Sequence, residues 1–199
     1  MSSGNARALT GAVLFLAGAA VFAAALAGYL QGPLWQKVHA EEVLKAHSLP
    51  ATPSTPRAGS PLARLRIPRM ELDVTVIEGT RPADLLKAPG HLPGSAVPGE
   101  SENCIIAGHR DLHFSRLGTL RTGDRVELES AEGIFAYRVE SARIVEPSDD
   151  AVLQAGSDAL LTLITCYPFR YVGAAPQRYV VVARLAESRN PSSSRARPE

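Results

Sequence analysis

From Leu62 to Ala186 the apolar runs are short and are cut off repeatedly by Gly, Pro or Asp. That punctuation is the pattern of an all-β barrel or sandwich built from short strands. Strands are expected at Ala63–Ile67, Val74–Glu78, His91–Leu92, Cys104–Gly108, Asp124–Glu129, Ile134–Val145, Ala159–Cys166 and Arg178–Leu185. Helix is confined to short turns at Pro82–Lys87, with Pro at its start, Asp111–Leu117 and Asp149–Leu153.

The remainder of the chain is attachment, since 199 residues suit one compact domain and two would be cramped. Ala8 to Leu30 carries no charged side chain, and as a helix it would reach roughly 34 Å, enough to cross a bilayer. Residues 1–31 are therefore expected to be a signal-anchor transmembrane segment. Length and the lack of a Pro breaker favour retention, while Ala23, Ala25 and Ala27 leave signal-peptidase cleavage as the alternative. Arg7 and the α-amino group precede the span, and Tyr29, Trp35, Lys37, Glu41 and Glu42 follow it, which places the rest of the protein outside the cytoplasm. Residues 32–61 are expected to be a juxtamembrane segment, helical over Pro33–Leu49, followed by a Pro/Ser/Thr-rich spacer, PATPSTPRAGSP. Residues 62–186 form the folded domain. Residues 187–199 have almost nothing apolar and are expected to be disordered.

A net charge of +1, with both signs spread along the chain, provides no basic face for a phosphate backbone, so nucleic acid is a poor partner. The two cysteines, Cys104 and Cys166, are too few for a disulfide scaffold and form no CxxC pair. Chemistry at one thiol is the more economical reading.

Three residues stand where apolar strands begin or end. His109 follows Gly108 at the end of one, Cys166 precedes Tyr167-Pro168 at the end of another, and Arg178 opens a third. Pro cannot continue a ladder, so the thiol lies at a rim. A thiol of ordinary pKa about 8.5 is mostly protonated at neutral pH and gains reactivity from an imidazole or a fixed cation. A guanidinium keeps its charge when desolvated and has donors for the negative oxygen built when an amide carbonyl is attacked. The imidazole then protonates the leaving amine. Taken singly, each residue is more often bland: a surface His, a small apolar Cys, a solvated Arg.

The words around them change that weighting. TLITC, the strand-terminal GHRDLHF, and an Arg opening the strand after the Cys loop resemble the sortases. The longer words LRIPRMELDVTVIEGT, PGHLPGSAVPGE, LRTGDRV and CYPFRYVGAAPQRYVV are similar to the class D branch of that family and its Gram-negative relatives. The resemblance covers about Leu65 to Ala183. It implies an eight-stranded β-barrel and a membrane-anchored cysteine transpeptidase that cleaves an LPxTG-like sorting signal. Cys166 would be the nucleophile forming a thioacyl enzyme, His109 the acid and base, and Arg178 the substrate and oxyanion contact. Thr165 would hydrogen-bond the acyl intermediate, or simply fill the strand as a β-branched residue. The implied partners are a secreted protein with a C-terminal sorting signal and an amine from a cell-wall precursor or a protein lysine. The loop Val145 to Ala159 is where the family selects its signal.

No cofactor is expected. Some sortases bind calcium through acidic loop residues, and Glu100 and Glu102 before the Cys104 strand keep calcium open as the alternative. Cys104 raises the question of a bridge to Cys166. If the two strands run parallel and end level, Cys104 lies roughly 17 Å back, beyond the reach of a disulfide. Rival readings are an L,D-transpeptidase or papain-like wall peptidase, which the order His109, Cys166, Arg178 does not fit; a zinc module using His109, His113, Cys104 and Cys166; and a silent partner-binding β-domain.

Overall fold

The computed structural model describes residues 11–27, 35–36, 39, 56–154 and 156–189. Among them eight strands close a barrel in the order β1-β2-β3-β4-β7-β8-β6-β5. The strands are β1 Pro61–Ile67, β2 Leu72–Glu78, β3 Gly90–His91, β4 Asn103–Ala107, β5 Arg125–Ser130, β6 Gly133–Val145, β7 Leu160–Tyr167 and β8 Gln177–Arg189. Two neighbour pairs run parallel, β2 with β3 and β4 with β7.

Period-two alternation explains the first strand. Ala63, Leu65 and Ile67 are fully buried, whereas Arg64 and Arg66 face outward and meet Asp73, Glu127 and Glu129 on the flanking strands β2 and β5. Inside the barrel Leu65, Ile106, Leu128, Leu161, Leu163 and Val181 belong to one apolar cluster. Burying each Leu or Ile stabilises the fold by about 1.5–3 kcal/mol relative to exposure. β7 breaks the one-sided pattern, because Thr162 on its outer face is also buried. The cover comes from the β6–β7 connection, whose 3-10 turn Asp150–Leu153 rests Val152 against Val145 and Val180.

Every strand expected from the sequence is present, with ends shifted by a few residues. The largest shift is at the C-terminus. β8 runs on to Arg189 because Glu187, Ser188 and Arg189 pair with Ala136, Phe135 and Ile134 of β6. That corrects the start of the expected disordered tail, while residues 190–199 lie outside the described residues. The spacer is likewise shorter than expected. Pro61 opens β1, and Gly59 and Ser60 are already tied to Glu78 through backbone hydrogen bonds. Pro82–Leu85 is a short helix, and Asp111–Leu117 is a run of turns ending in the 3-10 helix Leu117–Thr119. A further 3-10 turn at Pro68–Met70 was not foreseen.

Residues 11–27 are helical and exposed. Among the described residues no helix is long and apolar enough to cross a membrane. Most of the expected helix Pro33–Leu49 lies outside the described residues. Gln36 is described, and its amide docks on the barrel: Nε2 donates to Thr75 O at 3.0 Å and Lys87 O at 3.2 Å, and Oε1 accepts from Thr75 N at 2.6 Å. Trp35, expected at the headgroup level, stacks on His39 with centroids 4.2 Å apart.

Candidate active site

Strand register, more than sequence distance, brings the three candidate residues to one rim. In the antiparallel pair β7–β8, Cys166 stands directly opposite Arg178, so their side chains share a face. In the parallel pair β4–β7, Ala107 partners Ile164, and Gly108 N donates to Ile164 O at 3.1 Å. Continuing that register two residues sets His109 level with Cys166. All three are half-buried. Arg178 Nη1 donates to Gln177 O at 3.0 Å and to Ala175 O at 3.4 Å, which folds its fork over the β7–β8 connection.

The face that carries Cys166 and Arg178 is the outer one, opposite the core positions Leu161 and Leu163. It continues along the strands as Ile164, Val180 and Val182 under Val152. The roof is fastened by a buried polar pair: Thr162 Oγ1 donates to Asn103 Oδ1 at 2.8 Å, and Asn103 Nδ2 donates to Val152 O at 3.2 Å. Here the connection expected to select a signal is bolted to β4 and β7. Its acidic side chains face solvent or neighbouring polar groups, with Glu146 accepting from Gln177 Nε2 at 3.1 Å.

Thr165 lies where a strand-filling residue would. It is 3% exposed on the barrel-interior face, and its Oγ1 donates to Gly108 O at 2.6 Å. Its only proton is thus directed at the backbone before His109, on the opposite side of β7 from the thiol. Gly108 itself has no room for a side chain, since a Cβ there would lie 2.7 Å from Cδ2 of the fully buried Phe114. Phe114 N in turn donates to His109 O at 3.1 Å. Below the rim, Tyr167, Phe169 and Tyr179 form an aromatic plug, with Phe169 and Tyr179 packed against the core and their centroids 5.2 Å apart.

His113 lies in the turn after His109. Burial first, and then the neighbouring His109, holds its pKa below the usual imidazole value, and its Nδ1 is buried without a hydrogen-bond partner. Cys104 is a different thiol from Cys166. It is 1% exposed in the core, pairs with Leu161 in register, and burial pushes its pKa up to about 12. Both cysteines are free. Because Cys104 faces the interior and Cys166 the outside, the four residues weighed as a zinc set do not converge. Among the described residues no group of three or more His, Cys, Asp or Glu side chains is placed to hold a metal ion. Glu100 and Glu102 border an open cleft of about 490 Å³ with Gly94, Ser95, Ala96 and Ser101.

Sequence reasoning did not find Asn103, Thr162 or Arg110. Asn103 and Thr162 carry no motif, and only the parallel register makes them neighbours. Arg110 was visible beside His109 but had no partner that spacing alone could name.

Known proteins match this chain in both sequence and fold. The Sortase domain family matches residues 65–186. Sortase D of Bacillus subtilis is 37% identical over 131 residues, which cover 65% of this chain and 66% of that protein. Sortase A of Listeria monocytogenes is 28% identical over 106 residues, covering 51% of this chain and 47% of that protein. The chain thus spans about half to two thirds of the length of these curated relatives. Among solved structures, a Clostridium perfringens Sortase D5 transpeptidase is 25% identical with a TM-score of 0.68, covering 78% of this chain and 98% of that one. With a family match spanning nearly the entire barrel, and relatives alike in both sequence and fold, this chain belongs to the sortase family.

Proposed function

We propose that the chain is a membrane-anchored cysteine transpeptidase that cleaves an LPxTG-like sorting signal and passes the acyl group to an amine. The observation that supports this most is the register across β4, β7 and β8, in which Cys166 faces Arg178 and the ladder leads to His109. In this reading the Cys166 thiolate attacks the carbonyl of the scissile peptide bond. Arg178 meets the negative charge that builds on the oxygen, using fork donors other than the Nη1 already bonded to Ala175 and Gln177. His109 hands a proton to the departing amine, and the thioacyl enzyme forms. An incoming amine, from a cell-wall precursor or a protein lysine, then loses a proton to His109 and releases Cys166. Thr165 acts from behind, holding the Gly108 carbonyl and so the path of the chain into His109.

The substrate protein is one secreted with a C-terminal sorting signal. The barrel, Pro61 to Arg189, is the catalytic unit, and the charge-free run Ala8 to Leu30 is the anchor. The barrel then sits on the extracytoplasmic side, a reading supported by Arg7 before the run and the mixed charges after it. The test is cleavage of an LPxTG-like peptide with transfer to an added amine by the full chain. Cys166→Ala is expected to abolish product and thioacyl adduct while the barrel stays folded, and full turnover in that variant would refute the assignment. Arg178→Lys is expected to lose much of kcat despite keeping charge; unchanged turnover removes Arg178 from the mechanism.

A further inference from the structure

The β7–β8 connection, residues 168–176, leaves the nucleophile strand just after Cys166 and delivers Arg178 opposite it. Its shape therefore governs the rim from one side. Among the described residues this connection makes no backbone–backbone hydrogen bond outside the strand pair. Its tip is unsupported, with Val172 99% exposed. Phe169 packs inward against the core, Arg178 Nη1 reaches Ala175 O at the far end of the connection at 3.4 Å, and the bonds to its start and middle come from Arg110, the residue after His109. Arg110 Nη1 donates to Pro168 O at 3.1 Å, while Nη2 donates to Tyr171 O at 2.9 Å and Gly173 O at 3.1 Å. The same guanidinium lies 5.7 Å from the centroid of the Tyr171 ring.

Three carbonyls on one turn of chain, held by one planar group, is a contact that suits only arginine. Its five N–H donors point outward in a fixed fork, and its face is free to lie against an aromatic ring. An ordinary surface arginine would pair with a carboxylate at small gain; this one is spent on backbone oxygens that water would otherwise solvate.

We propose that Arg110 is a positioning residue that locks the β7–β8 connection to the segment carrying His109, so that thiol, imidazole and guanidinium keep one fixed arrangement. The proposal rests on the transpeptidase reading above. Arg110 touches no reacting atom in it. It acts through His109, to which it is joined in the chain, and through the connection that carries Arg178. A displacement of about 1 Å among reacting groups costs up to about 100-fold in rate, so loss of the lock is expected to appear in kcat, with KM little changed.

The experiment compares the full chain with Arg110→Ala and Arg110→Lys by three measurements. Limited trypsin digestion, read by mass spectrometry, follows the bond after Arg170, which is exposed in the connection. Iodoacetamide labelling of Cys166 across pH follows the thiolate and needs no substrate. Peptide turnover separates kcat from KM. In Arg110→Ala the bond after Arg170 is expected to be cut several-fold faster, the pH profile of labelling to differ from that of the unmutated chain, and kcat to fall by about tenfold or more. Arg110→Lys, which keeps the charge but has no fork, is expected to recover little of this, and it supplies the comparison if the alanine variant does not fold. Unchanged cutting after Arg170 would overturn the lock. Faster cutting with unchanged labelling and kcat would overturn its role in positioning, as would full recovery with lysine. Should the unmutated chain process no sorting peptide, the function proposed above fails alone, and digestion and labelling still decide the role of Arg110.

Discussion

Adding one methyl group at Gly108 is the sharpest perturbation the structure allows. In Gly108→Ala the new Cβ would sit 2.7, 2.9 and 3.0 Å from Cδ2, Cγ and Cε2 of Phe114. That ring is fully buried and cannot swing into solvent, so either the turn after His109 or the end of β4 has to move. Overpacking of this kind costs about 1–3 kcal/mol, and for a folded unit of this size each kcal/mol lowers Tm by about 4 °C. A fall of about 4–12 °C is therefore expected in a thermal melt. Turnover of a sorting peptide should fall further than the melt alone implies, because at room temperature nearly all the protein stays folded. The displaced backbone includes the Gly108 carbonyl held by Thr165 and leads directly into His109. Making room with Phe114→Leu in the same chain should recover part of both losses, whereas Phe114→Leu alone should only destabilise. A Gly108→Ala variant with unaltered Tm and kcat, or a double variant worse than the sum of its parts, would refute the reasoning.

Thr165→Val keeps the shape but leaves the buried Gly108 carbonyl without its donor, so denaturant unfolding should show a loss of about 1–3 kcal/mol that Thr165→Ser largely restores; equal stability of the valine form would count against it. Folded protein should take up one equivalent of iodoacetamide, at Cys166. Cys104, pushed up to about 12, is thiolate in only about one molecule in ten thousand near pH 8, and fast labelling of Cys104 in the native state would contradict its placement in the core. His113 has a folded pKa below the unfolded value of about 6.5, so the unfolded chain takes up the proton first and stability is lost as pH falls below about 6.5. His113→Leu should flatten the drop in Tm between about pH 7 and about pH 5; an equally steep drop in the variant would show that other groups carry it.

The strand pattern was legible because most strands are short, alternate or are wholly apolar, and are bounded by residues with one conformational message, as Gly123 and Asp124 are before β5. Ends were less legible. β8 outruns its apolar stretch because Glu187 and Arg189 gain backbone partners on β6, and backbone pairing asks nothing of side-chain polarity. The three site residues were legible as types at strand ends, but their meeting depends on parallel pairing of β4 with β7, for which one sequence has no local signal. Thr165 shows the limit most clearly. Its position beside Cys166 suggested a shared task, whereas the two-residue period of a strand turns neighbours to opposite faces. Arg110 was hidden for the converse reason, since its partners are carbonyl oxygens, which every residue carries and no motif records.

The order of the strands around the barrel has a consequence for biogenesis. β8, last in the chain, is the stave inserted between β7 and β6, and it brings Arg178 with it. Until it is seated the ring is open, β7 lacks one neighbour, and Cys166 has no cation facing it. A chain whose last strand is not yet seated therefore leaves Cys166 without Arg178 opposite it, and the two are brought face to face by the same event that closes the ring.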